Sequence, residues 1–219
     1  MNIIFLGAPG SGKGTQAAIV SEKFAIPALS TGESLRKEVA NKTKVGELAE
    51  SYMKSGKLVP DEVVVEIIES RVQSDFPNGF ILDGFPRNIA QAQILESMLL
   101  KIGKKIDVVF NFEVNEEILV KRICGRYSCK KCGAIYNKYF KLPSQEGVCD
   151  VCQSSQFESR ADDNEETVKN RLKVYRESTH ELIGFYQKKN LLISVDALKS
   201  APLIFEDLKK EILNHTNNN

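Results

Sequence analysis

Neither sign of charge prevails in this chain. Its 219 residues carry 30 Lys and Arg against 29 Asp and Glu, a formal net charge of +1. Composition therefore implies no broad electropositive face for nucleic acid. No apolar run approaches the ~20 residues that cross a bilayer, so no membrane association is expected. Histidine is scarce: His180 and His215 stand apart, without the partner spacing of a catalytic or metal-binding pair. The aromatic residues are dispersed, which reads as core and not as a base-stacking platform. No repeat and no low-complexity segment precede the final "NHTNNN", which offers nothing to bury and reads as unstructured. The opening "MNIIFLGAPG" has no basic leader, which argues against a signal peptide. A cytoplasmic monomer is the expectation.

What is present is an ordinary globular composition, 42% hydrophobic, in a chain long enough for one core with insertions. Apolar, β-rich runs occur at "NIIFL" (2–6), "GFILD" (79–83), "IDVVFNFEV" (106–114) and "LLISVD" (191–196), with a shorter one at "IPALS" (26–30). Segments with helical spacing alternate with them: 15–24, 61–72 after Pro60, 115–123, 163–187 and the stretch opened by Pro202. Strands alternating with helices predict an α/β fold, a parallel five-stranded sheet covered on both faces. Residues 30–59 and 126–160 break the alternation and read as two insertions. The core is then 1–29, 60–125 and 161–219.

"GAPGSGKGT" (7–15) nearly spells the phosphate-binding loop G-x-x-x-x-G-K-[ST]. Gly14, however, stands where the metal-binding hydroxyl belongs, and Thr15 follows one residue late. A glycine-rich turn between strand and helix aims several N–H groups at one anion, and Lys13 adds a full charge. Asp83, at the carboxyl end of "FILD", is placed to hold Mg²⁺ directly or through water. Arg36, Arg87, Arg122, Arg126, Arg160 and Arg171 occur where elements meet the insertions, and arginine suits bidentate phosphate contacts. Cys129-x₂-Cys132 and Cys149-x₂-Cys152, sixteen residues apart, match a four-thiolate Zn²⁺ site, closed and therefore structural. Disulfides or an iron–sulfur cluster are the alternatives. Cys124 reads as a small buried residue.

Together these segments resemble the adenylate kinases, specifically the bacterial type with a metal-binding cysteine lid, over about residues 1–213. "GAPGSGKGTQ", "STGESLR" (30–36), "GKLVPDE" (56–62), "LDGFPRN" (82–88) and "RADDNEETVKNRL" (160–172) match in order. Gly14 before Thr15 is part of that pattern. The resemblance implies a P-loop NTPase-like fold and Mg²⁺-dependent, reversible transfer of the ATP γ-phosphoryl group to AMP. Two ADP result, and the reaction maintains adenine nucleotide balance. It implies that Gly10, Ser11, Gly12, Lys13, Gly14 and Thr15 bind the ATP phosphates. Arg122, Arg126, Ile135, Tyr136 and the Lys199 carbonyl would surround ATP. AMP would be held by Thr31, Arg36, Lys57, Leu58, Val59, Gly84, Phe85, Pro86, Arg87 and Gln91, with Arg160 and Arg171 on the phosphates. Lys13, Arg87, Arg126, Arg160 and Arg171 become the catalytic set, and Asp162 and Asp163 lie at the lid hinge. Residues 30–59 become an AMP-binding lobe and 126–160 a zinc-bearing lid. The chain departs from the pattern at Glu33 and Ala90, in "NKYFKLP", and at "DA" (196–197).

No residue stands out as a general base, and this reaction needs none: a phosphomonoester with a second pKa near ~6 is already largely anionic at pH 7. The rival readings are a kinase for another nucleoside monophosphate, a zinc-ribbon nucleic-acid module, and a nucleotide-binding regulator without catalysis. Neutral net charge counts against the second and the full set of arginines against the third.

Overall fold

The computed structural model describes residues 1–72, 76 and 78–217. Strand β1 (Asn2–Gly7) is buried at all six positions. It lies at the centre of a parallel sheet, between β3 (Phe80–Asp83) and β4 (Val108–Glu113). β2 (Ala28–Ser30) and β8 (Leu192–Asp196) form the edges, giving the order β2-β3-β1-β4-β8. The expected five parallel strands are all present.

Alternation along these apolar runs supplies two cores at once. Ile4, Leu6, Leu82 and Val109 face helices α4 (Asp61–Val72), α5 (Ile89–Lys101) and α8 (Glu181–Lys188), meeting Val64, Ile68, Leu95, Leu99, Leu182 and Tyr186. Ile3, Phe5, Ile81, Val108 and Phe110 face the other way, against Ala17 and Val20 of α1 (Lys13–Phe24) and Ile204, Leu208 and Ile212 of α9 (Ala201–Asn217).

The helices begin where the sequence supplies caps. Asn88, Asn115 and Asn164 each accept from the backbone N–H three residues on, opening α5, α6 (Glu116–Cys124) and α7 (Glu165–Val174). Ser30 and Thr43 do the same for α2 (Thr31–Ala40) and α3 (Lys44–Ser55). These last two helices occupy the first insertion and pack closely: a Cβ on Gly46 would lie 2.2 Å from the Glu38 carbonyl oxygen. α3 is braced on α7, with Thr167 Oγ1 donating to the Lys54 carbonyl at 3.0 Å. The second insertion carries a small antiparallel sheet, β6 (Ile135–Asn137), β5 (Arg126–Cys129) and β7 (Phe157–Glu158), in that spatial order.

Two expectations are corrected. The helical stretch at 163–187 is not continuous: between α7 and α8 the chain makes a π turn, Tyr175–Thr179, with the His180 N–H bonded to the Tyr175 carbonyl. The extra residue turns Thr179 inward, where its hydroxyl donates to the Arg87 carbonyl at 2.8 Å. The tail is also more ordered than its composition suggests. α9 runs through Asn217, because the packed face ending at Ile212 carries the following polar residues along in the same helix. Residues 218 and 219, the end of that tail, lie outside the described residues.

Candidate functional site

Between β1 and α1 the chain turns through Gly10 and Gly12 with φ of 80° and 98°. The two glycines are needed for different reasons. A Cβ on Gly10 would lie 2.6 Å from Ile123 Cγ1, so the loop rests on α6; Gly12 has open space and is required by its backbone alone. The Lys13 ammonium folds over this loop, donating to the carbonyls of Gly7 at 2.7 Å and Ala8 at 2.9 Å. Ser11 is fully buried, whereas Gly14 and Thr15 are exposed. Asp83 reaches the same place from β3: its Oδ2 lies 3.4 Å from where a Gly14 side chain would begin. Asp83 therefore faces the position from which the usual hydroxyl is missing.

Around the loop, Lys13, Arg36, Arg87, Arg126, Arg160 and Arg171 lie near enough to act on one another's charge. Burial is the main cause that lowers Lys13, Arg36, Arg87, Arg160 and Arg171, and neighbouring cations add to it. Lys13 falls to about 8, and Arg87 and Arg160 to about 10. The cations are faced by three carboxylates, Asp83, Asp162 and Asp163. Arg126 binds Asp163 in bidentate fashion at 2.8 and 2.6 Å, and Arg171 binds Asp162 at 3.0 Å. The guanidinium groups of Arg36 and Arg160 make no hydrogen bond or ion pair among the described residues. Such crowding of half-buried cations is relieved by a polyanion.

Arg87 is fixed through its backbone as well as its charge. Its Nε and the Thr31 hydroxyl both donate to the Gly84 carbonyl, at 2.8 and 2.9 Å. Beside it opens a solvent-connected cleft lined in part by Thr31, Arg36, Lys57, Val59 and Gln91, with Leu58 and Arg171 also on its wall. Phe85 and Pro86, which precede Arg87 in the chain, are buried and do not line the cleft.

Arg122 stands apart from the cluster. Its Nη2 donates to the Ala197 carbonyl at 2.9 Å, and its guanidinium lies 5.9 Å from the Phe140 ring centre. Ile135 is half exposed on β6, while Tyr136 is buried within the small sheet. The Tyr136 hydroxyl donates to Cys149 Sγ at 3.4 Å and accepts from the Asp150 N–H at 2.7 Å. Lys199 is exposed, its Nζ paired with Asp207 at 2.7 Å.

The thiols of Cys129, Cys132, Cys149 and Cys152 all lie within 4.8 Å of one another, an arrangement able to hold a metal ion. Cys124 is separate and half buried. Within the cluster the Tyr136 hydroxyl, with help from backbone N–H groups, pulls the Cys149 thiol down to about 6.

Three residues at the site carry parts that sequence reasoning did not assign. Asp61, the first residue of α4, accepts from Gln91 and Asn88. Asn88 also caps α5, and Thr179 holds the Arg87 backbone. Their partners lie 27 to 92 residues away, except for the local cap. Only Asn88, three residues before Gln91, carries a local signal, that of an N-cap.

A family model described as Adenylate kinase matches residues 5–191. The chain is 49% identical over 214 residues to an adenylate kinase of Caldicellulosiruptor saccharolyticus, covering 97% of each chain. It is 49% identical over 210 residues to one of Archaeoglobus fulgidus, covering 95% of this chain and 96% of that one. With an adenylate kinase of Caldicellulosiruptor bescii it shares 51% identity over 194 residues, 88% of this chain and 90% of the relative.

Proposed function

This chain belongs to the adenylate kinase family and is a nucleoside monophosphate kinase, moving a phosphoryl group reversibly between ATP and AMP; from that premise we propose how its residues divide the work. The observation that carries the division is the ring of cations between the glycine loop and the adjoining cleft.

The loop residues Gly10, Ser11, Gly12, Lys13, Gly14 and Thr15 hold the ATP phosphates, through backbone N–H groups and the Lys13 ammonium. The cleft takes AMP. Thr31, Gln91 and the backbone of Lys57, Leu58 and Val59 meet the base and ribose, with Gly84, Phe85 and Pro86 of the AMP segment leading into Arg87. Arg36 and Arg87 hold the AMP phosphate, and Arg126, Arg160 and Arg171 gather around the group in transit. Arg122, Ile135, Tyr136 and the Lys199 carbonyl border the ATP base. The bond from the γ-phosphorus to the β-phosphate oxygen breaks as one forms to an AMP phosphate oxygen, giving two ADP. The residues act by alignment and by neutralising repulsion between the two phosphate chains.

Adenylate kinases use Mg²⁺ with ATP. When bound, the ion neutralises charge on the β- and γ-oxygens. Asp83 is the residue that would hold it, through water, since its carboxylate faces the start of α1 beside Gly14. The four cysteines fit Zn²⁺. A tetrahedron with Zn–S of about 2.3 Å sets the sulfurs about 3.8 Å apart. The Cys129–Cys152 and Cys132–Cys149 separations are 3.5 and 3.6 Å. Four sulfurs leave no open position, so the ion is structural.

Residues 30–59 serve as the AMP-binding lobe and 126–160 as a lid, mounted on a core of 1–29, 60–125 and 161–219. Closing them excludes the water that would otherwise hydrolyse ATP. The protein acts as a cytoplasmic monomer on ATP, AMP and ADP, with neither nucleic acid nor membrane as partner. No described helix is long and apolar enough to cross a membrane. An ADP-forming assay with ATP and each of AMP, UMP, CMP and GMP tests the reading. AMP is expected to be strongly preferred, and equal turnover of UMP would remove the cleft as an adenine site.

A further inference from the structure

Asp61 opens α4 directly after Pro60, and its carboxylate reaches the start of α5. It accepts from Gln91 Nε2 at 2.7 Å and from Asn88 Nδ2 at 3.0 and 3.2 Å. The other end of the Gln91 amide, Oε1, accepts from the Arg87 backbone N–H at 2.8 Å. An ionised carboxylate can only accept and a backbone N–H can only donate. The two partners therefore demand the same amide orientation. Asn88 is fixed by the same polarity: its Oδ1 accepts from the Gln91 N–H at 2.8 Å, leaving its Nδ2 for Asp61.

Turning the Gln91 amide over would set oxygen against carboxylate and NH₂ against N–H, losing both bonds and adding two repulsions. Gln91 is 1% exposed, so water cannot compensate. In the observed orientation the amide has one N–H and one oxygen lone pair left for the cleft it lines. Those suit adenine, whose N1 accepts and whose N6 donates. A 6-oxopurine, with N1–H donating and O6 accepting, requires the reverse. An amide free to turn would serve either base.

We propose that Asp61 is a positioning residue for acceptor specificity: together with the Arg87 N–H, it locks the Gln91 amide in the orientation that takes adenine and refuses 6-oxopurines. This rests on the reading of the cleft as the AMP base site. Discrimination is built here by fixing the wrong pairing as repulsive, and not only by rewarding the right one.

The test compares kcat/KM for AMP and IMP in the wild type, Asp61→Asn and Gln91→Leu, with calorimetric affinities for both monophosphates and the KM for ATP. The amide that Asp61→Asn introduces can donate to a turned Gln91. That variant is therefore expected to shrink the AMP:IMP ratio about tenfold or more, the worth of one buried hydrogen bond. The KM for ATP should stay as in the wild type. Asp61→Ser repeats the measurement should Asp61→Asn be unstable. An unchanged ratio overturns the lock, as does an equal loss for AMP and IMP, which marks a merely structural role. Gln91→Leu separates the two levels. If it weakens AMP binding while Asp61→Asn and Asp61→Ser keep the wild-type ratio, the base site stands and the lock falls. If Gln91→Leu leaves AMP binding intact, the base-site reading falls and takes the lock with it.

Discussion

The central sheet and the cysteine-bearing insertion solve the same problem by opposite means. The sheet buries Ile3, Ile4, Phe80, Ile81, Leu82, Val109 and Phe110 completely and packs helices on both faces. The insertion buries Cys129, Tyr136 and Cys149, with the rings of Tyr127 and Phe157 around them. Its remaining large side chains face outward, with Tyr139, Phe140, Leu142 and Val151 each more than half exposed. One region carries its stability in apolar area; the other gathers it at four sulfur atoms. A segment this small rarely builds an adequate core alone; the metal ion proposed for the four sulfurs would take that place and let the insertion remain thin.

If that contrast is right, the two regions break separately. The largest effect should follow removal of the metal, since structural Zn²⁺ contributes about 10–16 kcal/mol of apparent folding free energy. Chelation, or Cys129→Ser, should unfold residues 126–160 and lower metal content together. The parallel sheet should still melt cooperatively, as judged by calorimetry alongside metal analysis. Loss of phosphoryl transfer in Cys129→Ser with fold, melting point and metal intact would refute a structural role. Phe110→Ala should do the converse, costing about 3–5 kcal/mol in chemical denaturation while leaving bound metal unchanged. Arg87→Lys should touch neither region's stability strongly, yet lower turnover about 10²–10³-fold, equivalent to about 2.7–4 kcal/mol, because lysine lacks the planar fork. Near-wild-type turnover would remove Arg87 from the mechanism.

The smallest effect is a pH dependence. Burial holds Lys13 near about 8 in the free enzyme. A bound triphosphate favours its charged form, so ATP affinity should fall as pH rises past about 8, by at most about tenfold per unit. Calorimetry in buffers of different ionisation enthalpy should show proton uptake on binding there. A flat affinity from about pH 7.5 to 9.5, spanning that value, would show that Lys13 does not titrate against the nucleotide.

Legibility followed the range of the interactions. The glycine loop, the paired cysteines and the buried strands were readable because each is a local pattern with a local cause. Gln91 and Arg87 were identified through a motif. What orients them was hidden: Asp61 lies 30 residues from Gln91, and Thr179 lies 92 from Arg87. Thr179 reaches inward only because of the π turn, a backbone irregularity that apolar spacing does not encode. Tyr136 was placed beside ATP by the resemblance alone, and its side chain is spent on Cys149 and the Asp150 N–H. Composition also misjudged residues 214–217, which prolong a helix whose packing was already secured.

The bidentate pair between Arg126 and Asp163 joins residues 37 apart at the two roots of the insertion. It closes a loop, and closing a loop is an entropic matter that depends only weakly on length: doubling the enclosed segment adds about 0.6 kcal/mol. The cost of holding those roots together is thus nearly independent of how much chain lies between them. A shorter or longer segment could be spliced between the same two residues at little added closure cost, so long as the seat of Asn137 and Phe140 on Arg122 is kept.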